Sequence, residues 1–513
     1  MSIMRKLVSV VAKRKAREID YVLNHPIEES NILLTTILEK QQHSVLGRRH
    51  RFESIRSPEE FAERVPITDF ESMQPILEKV YENPTGNIMT AEPVIWYLTT
   101  SGSTGKQKQM PITRSGLRTA SVGGSRMWMG YMNQHPDNSR ILDGSMIMFG
   151  APSITGEING VPTGYGSGVY VRNQNKVFAR LIKPGEDVFC IEDMEEKMKA
   201  YALCTAKNDV TALQGIATLS LSFIRRMEEQ YGPWLLNQLK GTKHEQKVRD
   251  SMDVDGRVDV SELWPNLRLF VSGGIDVDPY REWIKNTLPE VAIWEGYAAS
   301  EGYLGSQILP EPGLQLMPDL NYLEFISEDD VESENPTAIP LSDVKKGNRY
   351  EIVMSNQNGW YRYRLGDMVT ITRTDPYTVR SISRRGGIVS LAGEKLSDTH
   401  VINAMADACK ATGAQVMDYS VVGVAEGGIP YYAVAAMFHD EVDSVDFVNA
   451  FEEAIGRVNW EFTNSRGMGA LGPTILRKMR KSMHEEVVKE THLQAKPVPL
   501  TMDKSVFAVC EAT

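Results

Sequence analysis

Apolar residues recur at helical spacing near the start of the chain, where Val8, Val11, Ala12, Ala16, Ile19, Val22 and Leu23 form one stripe. That stripe predicts an amphipathic helix docked on the protein body. Its apolar run is too short for a secretory signal and passes directly into Lys13, Arg14, Lys15 and Arg17. Residues 18–90 read as mostly helical, with polar faces and a turn at Asn83-Pro84-Thr85-Gly86. From residue 91 short β-rich runs alternate with helical patterns, as in an α/β sheet domain. Val94–Leu98, Leu267–Val271, Ala292–Trp294 and Met368–Thr372 read as strands, and Val210–Met227 and Asp278–Thr287 as helices.

The pattern changes near residue 380. The chain turns through Asp375-Pro376 and reaches Arg384-Arg385-Gly386-Gly387, a charged, glycine-containing stretch suited to a hinge. Beyond it Ser397-Asp398 caps a helix carrying Val401, Ile402, Met405 and Cys409, with Gly413 as its stop. Val416–Val424 and Tyr431–Phe438 flank Glu426-Gly427-Gly428 as a hairpin, and a helix follows over Ser444–Arg457. The expected division is a domain over residues 1–383 and a smaller one over 384–513. No internal repeat or low-complexity tract interrupts it.

Composition narrows the functional classes. The 513 residues are 42% hydrophobic and 24% charged, ordinary for a soluble globular protein with a large core. A net charge of −11 argues against non-specific nucleic-acid binding, and no apolar run is long enough to span a membrane. Cys190, Cys204, Cys409 and Cys510 are scattered, which fits a reducing cytoplasm better than a disulfide framework. The nine histidines form no metal-ligand cluster, and no GxSxG elbow anchors a serine-hydrolase reading.

The strongest chemical signal follows the first strand. Thr99-Thr100-Ser101-Gly102-Ser103-Thr104-Gly105-Lys106-Gln107-Lys108 is rich in glycine and hydroxyls and closed by lysines. Glycines let successive N–H groups converge, hydroxyls add donors, and lysine supplies charge for a polyphosphate. A Walker A loop would need four residues between its glycine and its Gly-Lys pair; Gly102 and Gly105 are separated by two. The stretch Gly156, Gly160, Gly164, Gly166, Gly168 lacks a complete dinucleotide fingerprint and reads as a plain loop, possible as a pocket wall.

Four further segments suit the same ligand. Leu267–Gly274 is a strand ending in Ser272-Gly273-Gly274, where a ligand can approach backbone closely. Glu295–Glu301 offers the aromatic Tyr297 and then the carboxylate of Glu301. Tyr363–Asp367 places Asp367 after a glycine, where it can accept two hydrogen bonds from a diol such as ribose. Gly393-Glu394-Lys395-Leu396-Ser397 lies just past the hinge. Taken singly, each has a plain structural alternative: Tyr297 as packing, Glu301 as a solvated acid, Asp367 as a turn cap.

In order and residue type these segments resemble the adenylate-forming superfamily and, within it, the GH3 acyl-acid amido synthetase family. The resemblance rests on Ser101–Thr113, on Val65-Pro66-Ile67-Thr68-Asp69-Phe70, and on Trp264-Pro265-Asn266-Leu267 with Ser272-Gly273-Gly274. It continues through Ala299-Ser300-Glu301-Gly302, Trp360–Asp367 and Gln494-Ala495-Lys496-Pro497-Val498-Pro499, nearly the whole chain, and most resembles the bacterial branch. It implies an α/β fold: a large N-terminal adenylate-forming domain, a smaller mobile α/β C-terminal lid, and a site between them.

The implied chemistry is ATP-dependent. A carboxylic acid attacks the α-phosphate of ATP, giving an acyl-adenylate and pyrophosphate, and an amine then takes the acyl group as an amide. The resemblance assigns phosphate contacts to Ser101, Gly102, Ser103, Thr104, Gly105 and Lys108, and Mg²⁺ to Glu301. It assigns nucleotide contacts to Gly296, Tyr297, Ala298, Ser300, Asp367 and Arg384, with Tyr297 stacking on adenine and Asp367 on ribose. Ser272, Gly273 and Gly274 would line the acyl pocket. Lys496 is the candidate lid lysine and Lys395 its rival.

Two departures from the pattern are visible. Arg385-Gly386-Gly387 stands where many adenylating enzymes have Asp after the hinge arginine, and Leu500 follows Pro499 where Arg is usual. The expected partners are a small carboxylic acid and an amine, such as an amino acid, in the cytoplasm and compatible with a monomer. Rival readings are an acyl-CoA ligase and a non-catalytic nucleotide- or acyl-binding homologue. Arg477-Lys478-Met479-Arg480-Lys481, expected as a solvated helix face, is the basic cluster that would serve coenzyme A phosphates.

Overall fold

The N-terminal stripe becomes the helix Ile3–Asn24 in a computed structural model of the protein. The structure describes residues 3–100, 108–274, 276–392, 394–425, 429–467, 469–483 and 498–511. Ile19 and Leu23 of this helix are buried with Ile308, Met317 and Leu320, and Arg5 bonds Ser139 and Asp143 at 2.9 and 3.0 Å. It is a docked helix, as its periodicity requires.

The described chain divides into two compact units. One comprises residues 1–143, 150–190 and 294–382; the other comprises 144–149, 191–293 and 383–513. Residues 1–383, expected together, are thus shared between the two, and 383–513 cluster with 144–149 and 191–293. Both units mix helices and sheets, so the α/β class holds.

In the first unit the helices Pro26–Gln41, Val45–Arg49, Pro58–Arg64 and Phe70–Glu82 precede any strand. Local chemistry starts them: Ser57 caps one, and Asp69 with Ser72 forms a reciprocal capping box at another. The expected turn follows, with Gly86 N–H donating to the Asn83 carbonyl at 3.0 Å. A four-stranded sheet is ordered Gln109–Thr113, Val94–Thr99, Val161–Tyr165, Gly156–Ile158. A second run of strands is ordered 338–340, 322–327, 349–355, 363–374, 377–384, 314–316, 303–306, 292–298. Phe61, Leu77, Tyr97, Leu98, Leu304 and Trp360 belong to one buried core.

The second unit contains three parallel strands, with Val210–Gly215 between Ser145–Met148 and Leu269–Gly273. The helix expected over Val210–Met227 is therefore a strand followed by the helix Ala217–Glu229. Val210, Thr211, Ala212 and Leu213 are all buried, so this strand carries no period-2 alternation that would separate it from a buried helix. The helix Asp398–Thr412 starts at Ser397 and stops at Gly413, whose φ is 73°. Val401, Ile402, Met405 and Cys409 are buried, as their spacing requires. Strands Val416–Val424 and Tyr431–Phe438 pair antiparallel, and the helix Ser444–Val458 follows; Glu426-Gly427-Gly428 lies outside the described residues.

Candidate active site

The loop expected to bind phosphate is closed at its foot by Thr100 and Lys108. Thr99 pairs with Gln109 across antiparallel strands; one step on, Thr100 N–H donates to the Lys108 carbonyl at 2.9 Å. Lys108 N–H returns a bond to Thr100 Oγ1 at 3.1 Å. Residues 101–107, with Ser101, Gly102, Ser103, Thr104 and Gly105, lie outside the described residues, as does Lys496. The Lys108 ammonium stands 4.0 Å from the centroid of the Phe70 ring.

The glycine-rich stretch is ordered structure rather than a plain loop. Val161–Tyr165 pairs in parallel with Val94–Thr99, Gly164 opposite Leu98, and the helix Gly166–Arg172 begins at once. A Cβ on Gly164 would lie 1.8 Å from the Ser153 carbonyl oxygen, and one on Gly168 2.2 Å from that of Ala151. Close backbone approach, not turn geometry, accounts for these glycines. Gly164→Ala is expected to cost about 1–3 kcal/mol through overpacking, measured by urea denaturation. Gly156→Ala, whose nearest neighbour is 3.4 Å away, should change stability little.

Glu301 occupies the turn between strands Ala292–Ala298 and Tyr303–Ser306, where Ala299 N–H donates to the Gly302 carbonyl at 2.8 Å. Its side chain is partly exposed. Burial, and after it the charge of Glu301, pushes the Tyr170 phenol up. The Glu301 carbonyl accepts bonds from Asn356 Nδ2 at 2.9 Å and Asn358 Nδ2 at 3.4 Å. Motif reading missed these asparagines, together with Asn321 and Gln357. They line a small cavity with Gly116, Thr119, Tyr170 and Gly302, and Gln357 Oε1 is buried there without a hydrogen-bond partner among the described residues.

Asp367 reaches its place through a bulge. Glu351 pairs with Met368 and Val353 with Arg364, so Leu365, Gly366 and Asp367 stand opposite Ile352 alone. Gly366 has φ of 73°, which favours glycine, and its N–H donates to Glu351 Oε1 at 3.2 Å. Fully buried Glu351 also accepts from Arg364 Nε at 3.0 Å. Two motif segments meet at the start of this strand: Thr68 N–H donates to the Arg362 carbonyl at 2.9 Å, and Arg364 N–H to that of Thr68 at 2.7 Å. Tyr297 is 6% exposed, and its hydroxyl donates to Asp367 Oδ2 at 2.8 Å. The structure thus brings the aromatic and the acid together. Gly296 and Ser300 flank them partly buried, and Ala298 is exposed.

The second unit holds the remaining candidates. Ser272 is 1% exposed, with its Oγ lacking a hydrogen-bond partner among the described residues, and Gly274 has φ of 88°. Gly273 ends the strand Leu269–Gly273 between them. Arg384 closes the strand Tyr377–Arg384, ahead of a turn with Gly386 at φ of 83°. Lys395 is exposed, whereas its neighbour Glu394 is fully buried. Glu394 accepts from the N–H groups of Leu391 and Ala392 at 2.8 and 2.9 Å and from Tyr432 OH at 2.6 Å, a structural role.

Arg477–Lys481 does not form a helix face. Ile475–Lys478 is a strand parallel to Tyr431–Phe438, with Arg477 4.3 Å above the Phe507 ring. Lys478 pairs with Glu441 at 2.7 Å, and Arg480 Nε donates to the Cys510 carbonyl at 3.1 Å. A local run of charge does not reveal that alternate residues enter a sheet. Among the described residues the four cysteines are free, and no three His, Cys, Asp or Glu side chains cluster to hold a metal. No described helix is long and apolar enough to cross a membrane.

Family models decide the wider kinship. Residues 15–253 match the GH3 family N-terminal domain and residues 314–383 the GH3 family central domain. The chain belongs to the GH3 family. Among its relatives, the indole-3-acetic acid-amido synthetase GH3.17 of Arabidopsis thaliana is 24% identical, over 69% of this chain and 68% of the relative. A probable indole-3-acetic acid-amido synthetase GH3.2 of Oryza sativa subsp. japonica is 23% identical, over 89% and 84%. In fold, this GH3 protein resembles a GH3.15 acyl acid amido synthetase in complex with 2,4-DB, with a TM-score of 0.80 and 15% identity over 98% and 96% of the chains. It also resembles a 2-hydroxyisobutyryl-CoA ligase in the postadenylation state, with a TM-score of 0.58 and 12% identity over 93% and 89%.

Proposed function

We propose that this GH3 protein is an ATP-dependent acid–amino acid ligase that adenylates a carboxylic acid and passes the acyl group to an amine. The observation that carries this reading is the junction in the first unit: Asn358 ties the end of the strand that leaves the loop to the Glu301 turn, and Tyr297, on the strand before that turn, meets Asp367. A carboxylate is a poor electrophile, and adenylation gives it a leaving group. Charge then builds on phosphate oxygens, so donors placed beforehand lower the barrier.

In this reading Ser101–Gly105 and Lys108 hold the phosphates. Asp367 accepts from the ribose diol, oriented by the Tyr297 hydroxyl, while the Tyr297 ring meets adenine. Gly296, Ala298, Ser300 and Arg384 complete the nucleotide contacts, and Ser272, Gly273 and Gly274 line the acyl side. Glu301 holds Mg²⁺. One carboxylate would suit that ion, which proteins usually hold through one or two carboxylates. Mg²⁺ supplies charge neutralisation at the phosphate oxygens. Lys496 or Lys395 contributes a cation to the adenylation step.

The acceptor is an amine rather than coenzyme A. The relatives are named for amide synthesis, and Lys478, Arg480 and Arg477 of the basic cluster are engaged by Glu441, the Cys510 carbonyl and the Phe507 ring. The protein is expected to exchange pyrophosphate into ATP only when its acid is present, and to yield AMP. ADP and phosphate as sole products would overturn adenylation. With equal coenzyme A and amino-acid pools, a dominant thioester would overturn the amide assignment.

A further inference from the structure

The hairpin loop between strands Arg349–Ser355 and Tyr363–Thr374 carries Asn356-Gln357-Asn358-Gly359, a run that no ligand motif explains. Its asparagines are 3% and 4% exposed and their amides are spent within the protein. Asn358 Oδ1 accepts from Thr113 N–H at 3.0 Å and from Thr113 Oγ1 at 3.2 Å. Thr113 ends the strand that leaves the phosphate loop and caps the helix Arg114–Gln134. On the other side, both Asn356 and Asn358 donate to the Glu301 carbonyl. Asn356 Nδ2 also reaches Asn321 Oδ1 at 3.1 Å, and its own oxygen accepts from Asn358 N–H at 2.9 Å.

Two glycines admit this arrangement. A Cβ on Gly116 would lie 1.8 Å from Asn358 Oδ1, and one on Gly302 2.6 Å from Asn321 Oδ1. Each position is vacated for an amide. Thr113, Asn321, Asn356 and Asn358 are buried, so losing one of their side-chain groups costs a hydrogen bond that the interior does not readily replace.

We propose that Asn356 and Asn358 form a clasp that fixes the Glu301 turn to Thr113, where the strand Gln109–Thr113 passes into the helix Arg114–Gln134, making them positioning residues for the Glu301 carboxylate. The inference rests on the assignment of Mg²⁺ to Glu301. A carboxylate that would hold a cation beside a bound nucleotide needs its backbone fixed by neighbouring hydrogen bonds. The clasp supplies that support through Thr113 on one side and the Glu301 backbone on the other.

Mn²⁺ binding, read by electron paramagnetic resonance in the presence of a non-hydrolysable ATP analogue, tests the clasp in the full-length protein. Asn356→Ala should weaken Mn²⁺ binding about 10–100-fold, the usual cost of removing an outer partner of a metal ligand. Affinity for the analogue without metal should stay within about twofold. Asn358→Asp, which keeps the acceptor for Thr113 and loses the donor to Glu301, should show the same selective loss if Asn356→Ala does not fold. Gly164→Ala is the control: it lowers stability without touching the Glu301 turn, and its Mn²⁺ affinity should match the parent. Wild-type Mn²⁺ affinity in folded Asn356→Ala and Asn358→Asp, with loss in Glu301→Ala, would overturn the clasp alone. Unchanged affinity in Glu301→Ala would overturn the metal assignment beneath it.

Discussion

Replacing Glu301 by alanine is expected to slow acyl-adenylate formation about 10²–10³-fold, the scale on which one pre-placed charge-stabilising group acts. The side chain is partly exposed, and the turn that carries it is held through its backbone carbonyl by Asn356 and Asn358. Truncation therefore removes the carboxylate without removing the support. Circular dichroism and the thermal midpoint should remain near those of the parent, while acid-dependent pyrophosphate exchange falls. The loss should be smallest at high Mg²⁺, where mass action offsets weakened metal binding. Turnover equal to the parent at low Mg²⁺ would remove Glu301 from the mechanism, and an unfolded variant would make it a structural residue.

The largest effect on stability is expected at Arg362. This residue has φ of 45° and is 6% exposed, and its guanidinium meets Glu324 through Nε at 3.1 and 3.0 Å and through Nη2 at 2.9 Å. Nη1 donates to the carbonyls of Ala62 and Val65 at 2.7 and 3.0 Å. Arg362→Met leaves Glu324 as a buried, unpaired carboxylate, at a cost of about 3–5 kcal/mol. Burial pushes the Glu324 carboxyl up, and Arg362 opposes that push. An acid raised in the folded state favours folding most at low pH and loses that contribution as pH rises past its unfolded value. Removing Arg362 enlarges the rise, so the deficit measured in urea should be greater at pH 7 than at pH 5. Adding Glu324→Leu should recover much of it, and a deficit independent of pH would show that lost packing, not charge, is responsible.

Wherever a few adjacent residues settle the outcome, the amino-acid sequence was enough. Ser397 and Gly413 bound one helix because a cap and a left-handed stop act within a single turn. The apolar runs Val416–Val424 and Tyr431–Phe438 on either side of Glu426-Gly427-Gly428 suffice for a hairpin, since each strand pairs with its neighbour in the chain. The family was legible for a related reason: its motifs are short runs of glycines, hydroxyls and acids that stand in order along the chain, and family models match residues 15–253 and 314–383. Where the deciding partner is remote, the sequence was silent. Val210–Gly215 is a strand because Ser145–Met148 and Leu269–Gly273 flank it, and its own residues, without alternation, suit a helix equally well. Gly164 is glycine because the Ser153 carbonyl needs the space. Arg477 belongs to a strand because Ala435 lies beside it. The bulge that presents Asp367, the Tyr297 hydroxyl that meets it and the asparagines that hold Glu301 are also products of tertiary structure. Buried polar groups must find partners, and those partners lie tens to hundreds of residues away, where no local pattern records them.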